Sequence, residues 1–321
     1  MNIWDTAGSD KYYEHYRIST RSEDLRKWVD EAYTKLSPFL DKSYLKNLRN
    51  NDFYGRLWEL ELAKWLMLTD LKMAPTNGAG FDFCVELKSG SKIWIEAVYS
   101  RPDEELREIE KAALESSGVA YDTPREQVAL RYSSSLFEKA NKINKKYTKY
   151  IGKNDYVLIA ISSFAPDAGM WKDRDIFQLA VLPIGNQLFH ISVDGRKLDN
   201  TPRPSHEVKL EMTKATGVPV KKGFLYPGTK FPHIDGVMFS EASNLQQLLG
   251  MSSISFCEET GKPYISFNEE TNTPHIYQNY SGKDVPGEFT KFFYYHKWRK
   301  NSQMVTLDMV HPIVKLGSTR S

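Results

Sequence analysis

Phe53-Tyr54-Gly55-Arg56-Leu57-Trp58-Glu59-Leu60-Glu61-Leu62-Ala63-Lys64-Trp65-Leu66, then Phe81-Asp82-Phe83-Cys84-Val85-Glu86-Leu87, then Ile93-Trp94-Ile95-Glu96-Ala97-Val98-Tyr99: these three runs decide the fold. Leu57, Leu60, Ala63, Trp65 and Leu66 recur at helical spacing, so the first run predicts a helix from Phe53 toward Leu68. The other two are rich in β-forming residues and are joined by Lys88-Ser89-Gly90-Ser91-Lys92, which predicts a hairpin. Strand alternation puts Asp82, Cys84 and Glu86 on one face of the first strand, and Trp94, Glu96 and Val98 on one face of the second. With Leu87 paired to about Ile93, Asp82 and Glu96 lie near the same end of the hairpin. Converging carboxylates in a core are costly unless a cation or a proton neutralises them. Glu96 is the more informative of the two, because the strand around it is otherwise apolar. Oxygen ligands of this kind suit a hard divalent cation, Mg²⁺ or Mn²⁺.

The preceding helix offers a third acid. Glu59 and Glu61 are ~200° apart around it, so only one can face the hairpin. Glu59 lies near the edge of the apolar stripe and is the expected contributor.

Outward from this centre, Ser22 to Leu48 reads as a helix on Leu25, Trp28, Val29, Ala32 and Leu36, and Leu71 to Ala74 as a short strand. Arg101 to Ser117 is helix-prone. Ser133 to Tyr150 predicts an amphipathic helix, with Leu136, Ala140, Ile143 and Tyr147 on one side and lysines on the other. Asp155-Tyr156-Val157-Leu158-Ile159-Ala160-Ile161 has the pattern of a strand buried on both faces. Further strands are expected at Phe177–Pro183, Phe189–Val193, Ile234–Ser240 and Tyr264–Phe267, with Thr201–Lys230 as loop. Three segments follow: 1–52, helical; 53–165, the core; 166–321, a strand-rich extension packing on the core, or continuous with it.

The net charge of +2 does not mark a nucleic-acid binder, so any basic surface must come from local clustering. Two cysteines, Cys84 and Cys257, exclude a disulfide framework and a four-cysteine zinc site. The N-terminus lacks the basic start and apolar segment of a signal peptide, and no apolar run reaches the ~18 residues that span a bilayer. A cytoplasmic protein without a membrane partner is expected. There is no phosphate-binding Gly-rich loop, no Gly-x-Ser-x-Gly elbow and no histidine pair at metal spacing.

The order Glu59, Gly80-Phe81-Asp82-Phe83, Ile95-Glu96-Ala97 resembles the PD-(D/E)XK nuclease superfamily, whose restriction-endonuclease-like fold is α/β with an α-β-β-β-α-β core around a central mixed sheet. The resemblance spans about 110 of the 321 residues. It implies that Glu59, Asp82 and Glu96 assemble Mg²⁺ (or Mn²⁺), with Asp82, Glu96 and the Ala97 carbonyl as ligands. The family's lysine stands two residues after the third acid, where this chain has Val98. Some members move that group to the following helix, and Lys139 is the expected replacement. The implied activity is metal-dependent phosphodiester hydrolysis of nucleic acid, with DNA as the expected partner. Lys142 and Lys146, with Lys291, Lys297 and Arg299 in the aromatic, basic stretch Phe289–Lys300, are the expected nucleic-acid contacts. Two alternatives stand beside it: an inactive nucleic-acid-binding module on the same fold, and an interaction or toxin-like protein whose acids are structural.

Overall fold

The computed structural model describes residues 3–67, 69–115, 125–162, 174–188, 205–214, 217–221, 224–225, 231–240, 254–256, 263–265, 275–278, 283–300 and 304–310. The chain begins with helices α1 (Lys11–Ile18), α2 (Glu23–Leu36), α3 (Tyr44–Asn50) and α4 (Phe53–Met67). Strands β1 (Lys72–Ala74), β2 (Phe83–Glu86) and β3 (Lys92–Tyr99) follow, then α5 (Glu104–Glu115), α6 (Arg125–Lys146) and β4 (Tyr156–Ser162). Next come α7 (Arg174–Val181), β5 (Ile184–Leu188), β6 (Ser205–Val208), β7 (Glu211–Thr213), β8 (Pro219–Lys221) and β9 (Gly236–Ser240). The last elements are β10 (Ile254–Phe256), β11 (Pro263–Ile265), β12 (His275–Gln278), a short helix at Gly287–Thr290, β13 (Tyr294–Lys300) and β14 (Met304–Val310).

The result is a mixed α/β architecture. Among the described residues the central sheet runs β1-β2-β3-β4-β9-β12-β13-β14-β6-β5, with β7–β8 and β10–β11 as separate pairs. β3 and β4 are parallel, as are β4 and β9, while β1, β2 and β3 form an antiparallel meander. Parallel neighbours need a crossover, and α5 and α6 supply it between β3 and β4. One core lies between the sheet and α1–α4, with Ile93, Ile95, Ala97, Leu158 and Ala160 facing it. A second lies against α6 and α7 and takes the alternate residues Trp94, Val98, Val157, Ile159 and Ile161. Both faces of β3 and β4 are therefore covered, which explains their near-continuous apolar sequence.

Helix α4 differs from the expected amphipathic stripe. From Phe53 to Leu66 every side chain except Arg56 is buried, because the sheet covers one flank and α2 and α3 the other. Trp58 is fastened to the sheet by its indole N–H, which donates to the Ala160 carbonyl at 3.2 Å. The three charged residues Glu59, Glu61 and Lys64 are carried inside with it.

Four other expectations are corrected. The Ser22–Leu48 helix is two helices, because Pro38 lacks the N–H that would continue α2, and a 3₁₀ turn at Ser37–Phe39 intervenes. Phe177–Pro183 is not a strand: Ile176, Phe177, Ala180 and Val181 are buried at helical spacing in α7, and a short apolar run does not by itself separate the two. Helix α6 starts at Arg125 rather than Ser133. Thr201–Lys230 contains β6, β7 and β8 rather than loop alone. The expected strand Phe189–Val193 lies outside the described residues. No helix among those described is long and apolar enough to cross a membrane.

The turn before β2 needs its glycine. Gly80 has φ +86°, and a Cβ there would stand 2.3 Å from the Tyr147 ring. Tyr147 in turn packs on Phe81, with ring centroids 5.2 Å apart. Gly80→Ala is expected to cost about 1–3 kcal/mol of stability in denaturant unfolding. Gly78→Ala (φ +75°, open space around it) should cost less, since only the backbone conformation opposes it.

Candidate functional site

The hairpin register brings the acids together more closely than the sequence alone implied. Phe83 pairs with Ile95 and Val85 with Ile93, while the Leu87 N–H bonds to the Ser91 carbonyl. The turn is thus tighter by two residues than a Leu87–Ile93 pairing, which keeps every side chain on its expected face. Asp82 lies just before β2, where its N–H donates to the Ile95 carbonyl at 3.2 Å, and so falls opposite Glu96. Its carboxylate accepts the Ala97 N–H at 2.7 Å. What the structure shows of Ala97 here is this donated bond.

Glu96 is fully buried in β3, with Ile159 of β4 beside it. Lys139 and Lys142 of α6 each place an ammonium 2.8 Å from its Oε1. Its Oε2 is buried with no hydrogen-bond partner. Val98 is on the same face of β3 as Glu96, so the cations reach that carboxylate from α6 rather than from β3.

Glu59, not Glu61, reaches this place. Arg56, one turn earlier on α4, donates to the Glu59 Oε2 at 2.6 Å. Glu61 points elsewhere: it accepts the Trp65 indole N–H at 2.9 Å and lies 3.6 Å from the Lys64 ammonium. Burial, and then the charge of Asp82, hold the Glu59 pKa well above the ordinary carboxylate range, against the pull of Arg56. Burial, and then the charge of Glu96, push Asp82 up to about 6, although Lys139, the Ala97 N–H and Arg56 oppose this. Burial would lower the Lys142 pKa, but the adjoining Glu96 carboxylate raises it above the ordinary lysine value.

These groups border one open cleft of about 370 Å³ between the first turns of α4, the end of β3 and the middle of α6. Asp52, Glu59, Asp82 and Glu138 supply its acids, with Glu96 beneath; Arg56, Arg101, Arg131, Lys139 and Lys142 supply its cations. Arg101 pairs with Asp52, and the Arg131 guanidinium donates to the Arg101 carbonyl, which fixes one rim. Tyr99 adds aromatic surface, with the buried Trp58 behind the cleft wall.

Three cleft cations were not singled out from sequence. Arg56 could have been found three residues before Glu59, on the same helical face. Arg131 shares a face with Ser135, Lys139 and Lys142, but only once α6 is started near Arg125. Thr123-Pro124-Arg125-Glu126 was the available signal for that start. The same early start makes Lys139 a mid-helix residue rather than one near the N-terminus.

The remaining expected contacts are not gathered here. Lys146 is exposed on α6, away from the cleft lining. Lys291 lies over the Phe292 ring, 4.9 Å from its centroid. Lys297 and Arg299 belong to β13, four strands from β3 in the sheet, roughly 19 Å at the usual strand spacing. Phe289, Phe292, Phe293 and Tyr295 are buried in the core beneath α1–α4, so these rings are not a stacking surface for bases.

No protein-family model, curated protein or solved structure matches the chain. Among the described residues, no group of three or more His, Cys, Asp or Glu side chains stands ready to hold a metal ion. The donor chemistry nevertheless fits a hard cation: Asp82 and Glu96 are opposite one another, and the Glu96 Oε2 is buried and lacks a partner.

Proposed function

We propose that the cleft hydrolyses phosphodiester bonds in nucleic acid, DNA foremost, with Mg²⁺ or Mn²⁺ as cofactor, on a restriction-endonuclease-like core. The observation that carries this is the meeting of Glu59, Asp82 and Glu96 with Lys139 at one cleft, across the order α4-β1-β2-β3-α5-α6-β4. Asp82 and Glu96 would hold the cation. Bound there, it would polarise a phosphate oxygen and acidify a coordinated water.

The chain's own residues do the rest. Glu59, held by Arg56 and with its pKa raised, can accept or return a proton at the reacting centre. Lys139 supplies an ammonium where the negative charge of the phosphate grows. Arg101 and Arg131 give the rim guanidinium groups suited to phosphate oxygens.

The test is Mg²⁺-dependent cleavage of single- and double-stranded DNA and RNA by wild type, Asp82→Ala and Glu96→Ala. Cleavage by wild type that both variants lose is the expected result. No cleavage of any substrate with Mg²⁺ or Mn²⁺, at high protein concentration, would refute it. A second reading, an inactive nucleic-acid-binding module, is favoured by one feature: Glu96 already carries two ammonium groups. Salt-dependent binding without cleavage would select it.

A further inference from the structure

Lys139 and Lys142 stand on successive turns of α6 and donate to the same carboxylate oxygen, Glu96 Oε1. One ammonium neutralises one carboxylate, so the second is surplus to Glu96 alone. A dication entering by itself at Glu96 would stand beside two ammonium groups with no anion to offset them. A phosphate anion entering by itself would meet Asp82 and Glu59. Together the two ligands bring one net positive charge rather than two, and an ammonium displaced from Glu96 gains an anion to receive it.

The two lysines are not equivalent. The charge of Lys139 acts on Asp82 and Glu59 as well as standing on Glu96. Lys142 has its other contact outside the acids: its ammonium lies 5.1 Å from the Tyr147 ring centroid, a cation–π position available when Glu96 is given up.

We propose that Lys142 is a stand-in cation for Glu96, and that a divalent cation and a phosphodiester occupy the cleft as a linked pair, each strengthening the other. The proposal rests on the metal-dependent reading given above. Linkage makes the strengthening reciprocal, and such couplings are commonly about 5–150-fold.

Calorimetric titration of Mg²⁺ into the full chain, with and without a single-stranded phosphorothioate oligonucleotide, tests it. Wild type should bind Mg²⁺ at least about tenfold more tightly when the oligonucleotide is present. Lys142→Met should bind Mg²⁺ alone about tenfold more tightly than wild type and respond less to the oligonucleotide, whereas Lys142→Arg should behave as wild type. The wild-type arms need no variant to fold, and Lys142→Gln serves as a second neutral replacement. Equal Mg²⁺ affinity of wild type with and without oligonucleotide overturns the linkage and leaves the metal site standing. Unchanged Mg²⁺ affinity in both neutral variants overturns the role of Lys142. Absence of Mg²⁺ binding under every condition overturns the metal-dependent reading together with the proposal.

Discussion

Asp82→Asn is expected to remove cleavage and, in chelator, to raise the melting temperature at pH 8 while changing it little at pH 4. The loss of activity should be at least about a hundredfold, the scale on which removing one preorganised polar group at a reacting centre is felt. The gain in stability follows from the cost of the charge. Burial, and then the charge of Glu96, push the Asp82 pKa up to about 6, above its ordinary value of 3.8. The folded chain thus holds this proton more tightly than the unfolded chain. The favourable contribution is complete below about pH 4 and is lost as the pH rises through about 6, after which a constant penalty remains. Asparagine escapes that penalty and keeps an oxygen for the Ala97 N–H, so the gain at pH 8 should be about 1–2 kcal/mol. Thermal melts of both proteins across pH 4–8 measure it. A variant less stable than wild type at pH 8 would show that the carboxylate stabilises the fold and is not held at a cost.

Lys139→Met and Lys142→Met should each be tolerated, whereas the double variant should be severely destabilised. Each ammonium alone reaches Glu96 Oε1, so one replacement leaves the buried carboxylate with a partner. With both gone, a charge with no solvent exposure has none, and uncompensated buried charges cost about 3–5 kcal/mol. The lysines themselves are 25% and 39% exposed, so screening makes each single loss small, under about 1 kcal/mol. The expected signature is strong non-additivity in a double-mutant cycle read by urea unfolding. Simple addition of two small effects would mean that the two ammonium groups do not substitute for one another at Glu96.

The hairpin and its acids were legible because strand parity survives an error in register. Placing Leu87 rather than Val85 opposite Ile93 moved the pairing by two residues, and Asp82 and Glu96 kept their faces. Glu59 was separable from Glu61 because a helix turns by 100° per residue, although both proved buried once α2, α3 and the sheet had enclosed α4. The start of α6 lies before Ser133, at Arg125, and the later expected start hid Arg131. At Phe289–Lys300 alternating rings and cations read as a nucleic-acid surface, whereas tertiary packing places Phe289, Phe292, Phe293 and Tyr295 in the core. The reach of Lys139 and Lys142 to a single oxygen depends on how α6 crosses β3, a contact between distant segments that no local pattern encodes.

The most direct measurement is a crystal structure of the protein soaked in Mn²⁺, with anomalous scattering recorded at the manganese edge. A peak between the Asp82 and Glu96 carboxylates, with Lys142 drawn away from Glu96 Oε1, is the expected result. Both lysines still on Glu96 and no peak in the cleft at saturating Mn²⁺ would contradict it.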